Sequence, residues 1–201
     1  MSARAAIDVS ELPELSFGHG ASVWWGVLGL IAIESTMFAL LAMSYFYLRQ
    51  NAPEWPPAGT PWPALGPASG DLALELVSLA PMAWAHRRAR QFSARGVVIG
   101  LSACTLLSLG ALGFRVWEFG ALHARWDENA YGSISWSILG MHTGHLVTST
   151  IENVLLILVM GSRSREDKHF VDVTVNALYW YFVVAAWVAL YAVVFLVPRW
   201  F

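Results

Sequence analysis

The sequence predicts an all-α protein: a polytopic membrane bundle of five transmembrane helices, with its N-terminus inside and its C-terminus outside. Three observations carry this prediction. The chain is 57% hydrophobic and only 13% charged, whereas a soluble domain carries about 25% charged residues. Apolar runs long enough to cross roughly 30 Å of hydrocarbon recur along it. Its arginines and lysines gather in alternate connections, as the positive-inside rule requires.

Helix one is expected over 23–48, where Glu34 is the only formal charge. A helix of that length rises about 39 Å, enough to span with some tilt. The connection 49–67 is rich in proline and tryptophan, including Glu54-Trp55-Pro56-Pro57, which predicts a stiff loop suited to the membrane–water interface. Helix two, about 68–91, is the weakest span on hydropathy. Asp71 and Glu75 stand in its first turns, where the helix dipole and interface depth would accommodate them, and Pro81 predicts a kink. Helix three, about 96–117, carries Gly100, Ser102, Ser108, Gly110 and Gly113, small residues that let helices approach closely in lipid. Helices four and five are expected over about 133–160 and 172–197, the last followed by Pro198-Arg199-Trp200-Phe201. Residues 1–22 read as a polar tail and 23–201 as one transmembrane domain.

The loop 86–95 holds Arg87, Arg88, Arg90 and Arg95, and the loop 161–171 holds Arg163, Arg165 and Lys168. These loops are therefore assigned to the cytoplasmic side, which puts Glu34 on the inner side of the midplane. The tail lacks a continuous apolar core and does not resemble a secretory signal, so helix one itself is expected to direct insertion. The net charge of −2 and the lack of a basic block argue against nucleic-acid binding. Cys104 is the single cysteine, which excludes an internal disulfide and any cysteine-rich metal site.

The polar residues at or near membrane depth are Glu34, Glu75, Arg115, Glu118, His142, His145 and Glu152. An ionised carboxylate in hydrocarbon costs several kcal/mol, so Glu34 must be neutral or partnered. It is either part of a proton or substrate path, or a protonated acid hydrogen-bonded to a neighbouring helix. His142 and His145, spaced i,i+3, share a helix face; they can ligate a metal or bond neighbouring helices and head groups. Arg115 and Glu118, also i,i+3, are expected to form an ion pair. A bundle haem would need histidines on facing helices, and helices one, three and five carry none. Nucleotide-binding, nucleophile-elbow, HExxH and CxxC patterns do not occur.

An ordered series of motifs runs through these elements. Gly26, Glu34 and Ser44-Tyr45-Phe46 come first, followed by Trp55-Pro56-Pro57-Ala58-Gly59 and Trp84-Ala85-His86-Arg87. Glu118-Phe119, Tyr131-Gly132-Ser133 and Gly140-Met141-His142-Thr143-Gly144-His145 come next, and Leu178 to Trp187 closes the series. In this order and spacing, over about residues 24–190, the chain resembles subunit III of haem–copper respiratory oxidases, especially the cytochrome c oxidase branch. It looks like the five-helix form, lacking the first two helices of longer members. The last helix departs from the family pattern at Tyr181 and Val184, where the family has His and Asp, and Thr143-Gly144 replaces the middle of an HGLH motif.

The resemblance implies an accessory subunit of a proton-pumping oxidase of aerobic respiration, passing electrons from cytochrome c to oxygen. The chain would have no catalytic centre, haem or copper of its own. It would pack against subunit I, in a complex with subunit II and others, hold phospholipid in a cleft and support proton uptake. Glu34 would be a buried acid near that cleft. Trp55, Trp84, His86, Arg87, Arg88, Glu118, His142 and His145 would make structural or lipid head-group contacts, and the arginine-rich inner loop would attract anionic lipid. The location implied is a bacterial cytoplasmic membrane. Alternatives are a subunit III-like component of a quinol oxidase or nitric oxide reductase, a small transporter with Glu34 as coupling acid, and a cytochrome b-type haem anchor.

Overall fold

A computed structural model describes residues 16–163 and 165–200. Within them the chain folds into five long helices: α1 Ser22–Gln50, α2 Leu65–Arg90, α3 Ala94–Gly120, α4 Ala130–Gly161 and α5 Lys168–Trp200. A single 3₁₀ turn, Gly18–Gly20, precedes α1. Each helix matches its expected span to within a few residues at either end; α2 ends at Arg90, one residue short of the expected 91. Most of the tail expected over 1–22 lies outside the described residues; of the rest, Phe17 packs edge-on against Phe92 at 5.6 Å.

Local chemistry explains the helix ends. Asn51 closes α1, its amide donating to the Tyr47 carbonyl at 2.8 Å, and Pro53 prevents continuation. Pro67 stands in the first turn of α2, where a missing N–H has no intrahelical partner to lose. Asn129 caps α4 by accepting from the Gly132 N–H at 2.8 Å. A Cβ at Gly132 would lie 2.0 Å from the Arg125 carbonyl oxygen, so only glycine lets the preceding loop fold back onto this turn. The 51–64 loop is held from two sides. Trp55 sits edge-on between Tyr45 and Tyr131, at 5.3 and 5.2 Å, and Arg199 at the end of α5 donates to the Pro63 carbonyl and lies over Trp62.

The helices α2, α3, α4 and α5 form the body of the bundle, and α1 lies against α4 and α5. Only Phe38 and Tyr45 of α1 are buried, so most of its circumference is exposed apolar surface. The close approach expected of α3 occurs against α2: a Cβ at Gly100 would meet Ala85 Cβ at 2.8 Å and the Pro81 carbonyl oxygen at 3.0 Å, whereas Gly113 faces open space.

Four of the five helices, α1, α3, α4 and α5, are long and apolar enough to cross a membrane. The fifth, α2, is 26 residues long but less apolar, because it carries Asp71 and Glu75. Both side chains are fully buried inside the bundle, since a guanidinium from α3 meets them there.

The buried core is divided along its length. One apolar cluster includes Met82, Leu101, Cys104, Ala111, Leu146 and Val184. A second includes Ala68, Leu122, Ile138, Leu139, Trp187 and Leu190. Between the buried members of the two clusters stand the buried polar residues Asp71 and Glu75 on α2, Arg115 and Glu118 on α3, and His142 on α4.

Candidate functional site: a buried charged layer and an acidic cleft

At that boundary Asp71 and Glu75 of α2, Arg115 and Glu118 of α3, and His142 of α4 converge, each at most 1% exposed. On α2 and α3 the charged residues recur at helical spacing, i,i+4 for Asp71 and Glu75 and i,i+3 for Arg115 and Glu118, so each pair shares a face. Arg115 is the centre. Its Nη2 donates to Asp71 Oδ2 at 2.6 Å, to Glu75 Oε1 at 3.4 Å and to His142 Nδ1 at 3.1 Å. Its Nη1 lies 3.0 Å from Glu118 Oε2, close but not aligned for a hydrogen bond. The expected Arg115–Glu118 pair is thus one edge of a larger cluster. The guanidinium carbon sits 3.7 Å from the ring centroid of Trp187 on α5, and the His142 ring stacks on the same indole at 4.7 Å.

Hydrogen bonding fixes the state of His142. Its Nε2 lies 3.1 Å from the Val183 carbonyl oxygen, which can only accept, so Nε2 carries a proton. Its Nδ1 receives the Arg115 N–H, so it does not. His142 is therefore a neutral imidazole. The polar layer is seated on further buried bonds below it. Ser78 donates to the Glu75 carbonyl at 2.6 Å, Trp180 Nε1 donates to Ser78 Oγ at 2.9 Å, and Asn176 donates to Asn153 at 2.8 Å.

Glu34 is somewhere else. It lines a cleft of about 500 Å³ between α1, α4 and α5, together with Val23, Leu30, Glu152, Asp172 and Tyr179. Its Oε2 stands 3.5 Å from His145 Nε2, and the two side chains keep 12% and 11% exposure. The His145 Nδ1 donates to the Met141 carbonyl at 2.7 Å, so its Nε2 faces the carboxyl as either a lone pair or an imidazolium N–H. His142 and His145 thus serve different sites despite their spacing: one turns to the charged layer, the other to the cleft. No three His, Cys, Asp or Glu side chains among the described residues are grouped to hold a metal.

The remaining site residues lie apart from both places. Trp55 packs between two tyrosines in the 51–64 loop. Trp84 lies under the Arg88 guanidinium at 5.4 Å, His86 stacks on Tyr181 at 6.3 Å, and Arg87 is exposed. The sequence reading missed the convergence of α2 with α3 and α4. The available signal was an i,i+4 acid pair facing a lone arginine in an apolar run, because charges in such runs persist only when they meet.

Fold and site together define a polytopic helical membrane protein with a sealed ionic layer across four helices and an acidic cleft beside a loosely packed fifth. Its sequence matches the family described as cytochrome c oxidase subunit III over residues 16–199. The cytochrome c oxidase subunit 3 of Synechocystis sp. is 26% identical over 184 residues, covering 89% of this chain and 77% of the relative. That of Rhizopus stolonifer is 30% identical over 201 residues, covering 94% and 70%. That of Thermostichus vulcanus is 26% identical over 179 residues, covering 87% of each. The chain belongs to the cytochrome c oxidase subunit III family.

Proposed function

We propose that the chain is the non-catalytic subunit III of a proton-pumping haem–copper terminal oxidase in a bacterial cytoplasmic membrane. In this reading all five helices of the 23–201 unit cross the membrane, with the arginine-rich 86–95 connection on the inner side. Subunit I is the direct partner and carries the haem and copper with subunit II. The single observation that carries the reading is the family match across nearly the whole chain. The exposed apolar face of α1, where Ile33, Leu40 and Met43 are 65%, 58% and 68% exposed, supports contact with lipid or a partner helix. The cleft beside Glu34 has the size and apolar lining to admit acyl chains of a phospholipid. Inner-face contacts to head groups fall to His86, Arg87 and Arg88, which stand at the exposed end of α2, rather than to the fully buried His142 and Glu118.

The identity of the neighbouring subunits in a gently solubilised complex tests this. The expected result is co-purification with a subunit bearing haem and copper and with cytochrome c oxidase activity. Recovery with a quinol oxidase or nitric oxide reductase would move the chain to that complex. Recovery with no haem–copper subunit, together with transport that depends on Glu34, would replace the accessory role. In the assembled oxidase, Glu34→Gln is expected to leave oxygen reduction largely intact and to alter its durability modestly.

A further inference from the structure

The charged layer does not balance. Three carboxyl groups, on Asp71, Glu75 and Glu118, surround one guanidinium, and all four side chains are at most 1% exposed. Ionised together they would leave two negative charges uncompensated in the interior, each costing several kcal/mol. Compensation has to come from a cation, and the candidates are few. His142 is placed to stay neutral: its Nδ1 faces the Arg115 Nη2 donor at 3.1 Å, and its Nε2 lies nearer the Val183 carbonyl, at 3.1 Å, than Glu75 Oε2, at 3.8 Å. The α5 side of the site contributes the Trp187 ring and the Val183 carbonyl, neither of which titrates. His145, one turn away on α4, faces away from the layer, towards Glu34 of α1 at 3.5 Å in the cleft. A side chain of a neighbouring subunit cannot reach groups that α2, α3, α4 and α5 already enclose. No donor grouping for a metal ion is present among the described residues. The cation that remains is the proton.

We infer that the Asp71–Glu75–Glu118 cluster is a proton-binding site that holds two protons at neutral pH. Distances assign them. Asp71 makes the short, charge-assisted contact with Arg115, at 2.6 Å, and is the ionised partner. Glu75 is farther, at 3.4 Å, and its Oε2 has no hydrogen-bond partner. Glu118 makes no aligned hydrogen bond through either oxygen. Glu75 and Glu118 are therefore the neutral acids. This goes beyond the accessory role, because it gives the chain a titratable store of its own, separate from the cleft and from Glu34. It does not depend on which oxidase the chain joins.

Infrared difference spectra of the full chain in its solubilised complex test the assignment directly. Subtracting Glu75→Gln or Glu118→Gln from wild type is expected to remove one carboxylic-acid C=O stretch each at neutral pH, with no loss of ionised carboxylate bands. Loss of carboxylate bands in both subtractions overturns the proposal, because the acids would then be ionised and balanced by another cation. A second measurement covers the case in which a variant assembles poorly: the pH dependence of wild-type stability. The folded layer holds protons that water-exposed carboxyls release above about pH 5, so the folded state binds more protons and stability must fall as pH rises. Each retained proton contributes up to tenfold per pH unit in the folding equilibrium constant. Wild type is expected to exceed Glu75→Gln by up to that factor, and the double variant Glu75→Gln/Glu118→Gln to lose up to a hundredfold per unit of the wild-type dependence. A wild-type stability that stays flat or rises from pH 6 to 9, or identical slopes in all three proteins, overturns the inference.

Discussion

The layer around Arg115 and the cleft around Glu34 use the same side chains for opposite ends. Each pairs carboxyl groups with an imidazole from the His142–His145 turn of α4. In the layer the groups are sealed among α2, α3, α4 and α5 and tied to a guanidinium at 2.6 Å. In the cleft the acid and imidazole stand 3.5 Å apart on the wall of an open groove, with no guanidinium between them. The difference lies in the packing of the helices. The four body helices approach closely enough to exclude lipid and water, whereas α1 leans on α4 and α5 along one narrow stripe and leaves the groove between them. A buried ionic network fixes which helices meet, whereas an acid on a groove wall remains accessible to what enters the groove.

The comparison can be broken most directly at Arg115. Arg115→Met should remove the guanidinium of the layer and cost about 3–5 kcal/mol, read as loss of the chain from the membrane fraction or a large fall in the unfolding midpoint of the solubilised complex. A variant no less stable than Glu34→Gln would show that the layer is not held by charge. Next come the two histidines, which differ in partners and not in type. His142→Leu loses a bond to a charged group and leaves the Val183 carbonyl unmet, an expected cost of about 1.5–3 kcal/mol. His145→Leu, on the groove, should cost less than about 1 kcal/mol by the same assay. Glu34→Gln should also cost less than about 1 kcal/mol, with its effect appearing in the phospholipid retained by the purified complex rather than in the melting transition. The smallest effect is expected at the exposed Lys168–Glu166 pair, 2.7 Å apart and more than half exposed on both sides. Lys168→Ala should leave stability unchanged, and a fall comparable to His142→Leu would place that loop at an interface.

Glu34 shows how far a one-dimensional reading reaches. It looked the costliest acid because it interrupts an otherwise uncharged run, and cost was judged along one helix. Yet Asp71 and Glu75, on the least apolar helix, are more fully buried than Glu34, because neighbouring helices enclose them. Burial is decided by what stands opposite, and the group opposite, Arg115, is 40 or more residues away in the chain. Trp55 offers a milder case. The composition of its loop suggested stiffness from proline, and the structure adds that Trp55 packs between Tyr45 and Tyr131 to hold it.

By itself the sequence determined that the chain is helical, that its helices are long enough to span a bilayer, where each begins and ends to within a few residues, and to which family it belongs. These follow from local quantities: hydropathy over a window, caps and prolines at termini, and motifs read in order. Only the tertiary structure decided that Asp71, Glu75, Arg115, Glu118 and His142 form one sealed layer while Glu34 and His145 open onto a groove. The physical reason is that a buried charge persists only where its partners converge. Convergence depends on which faces of which helices touch, and no stretch of a single helix carries that information.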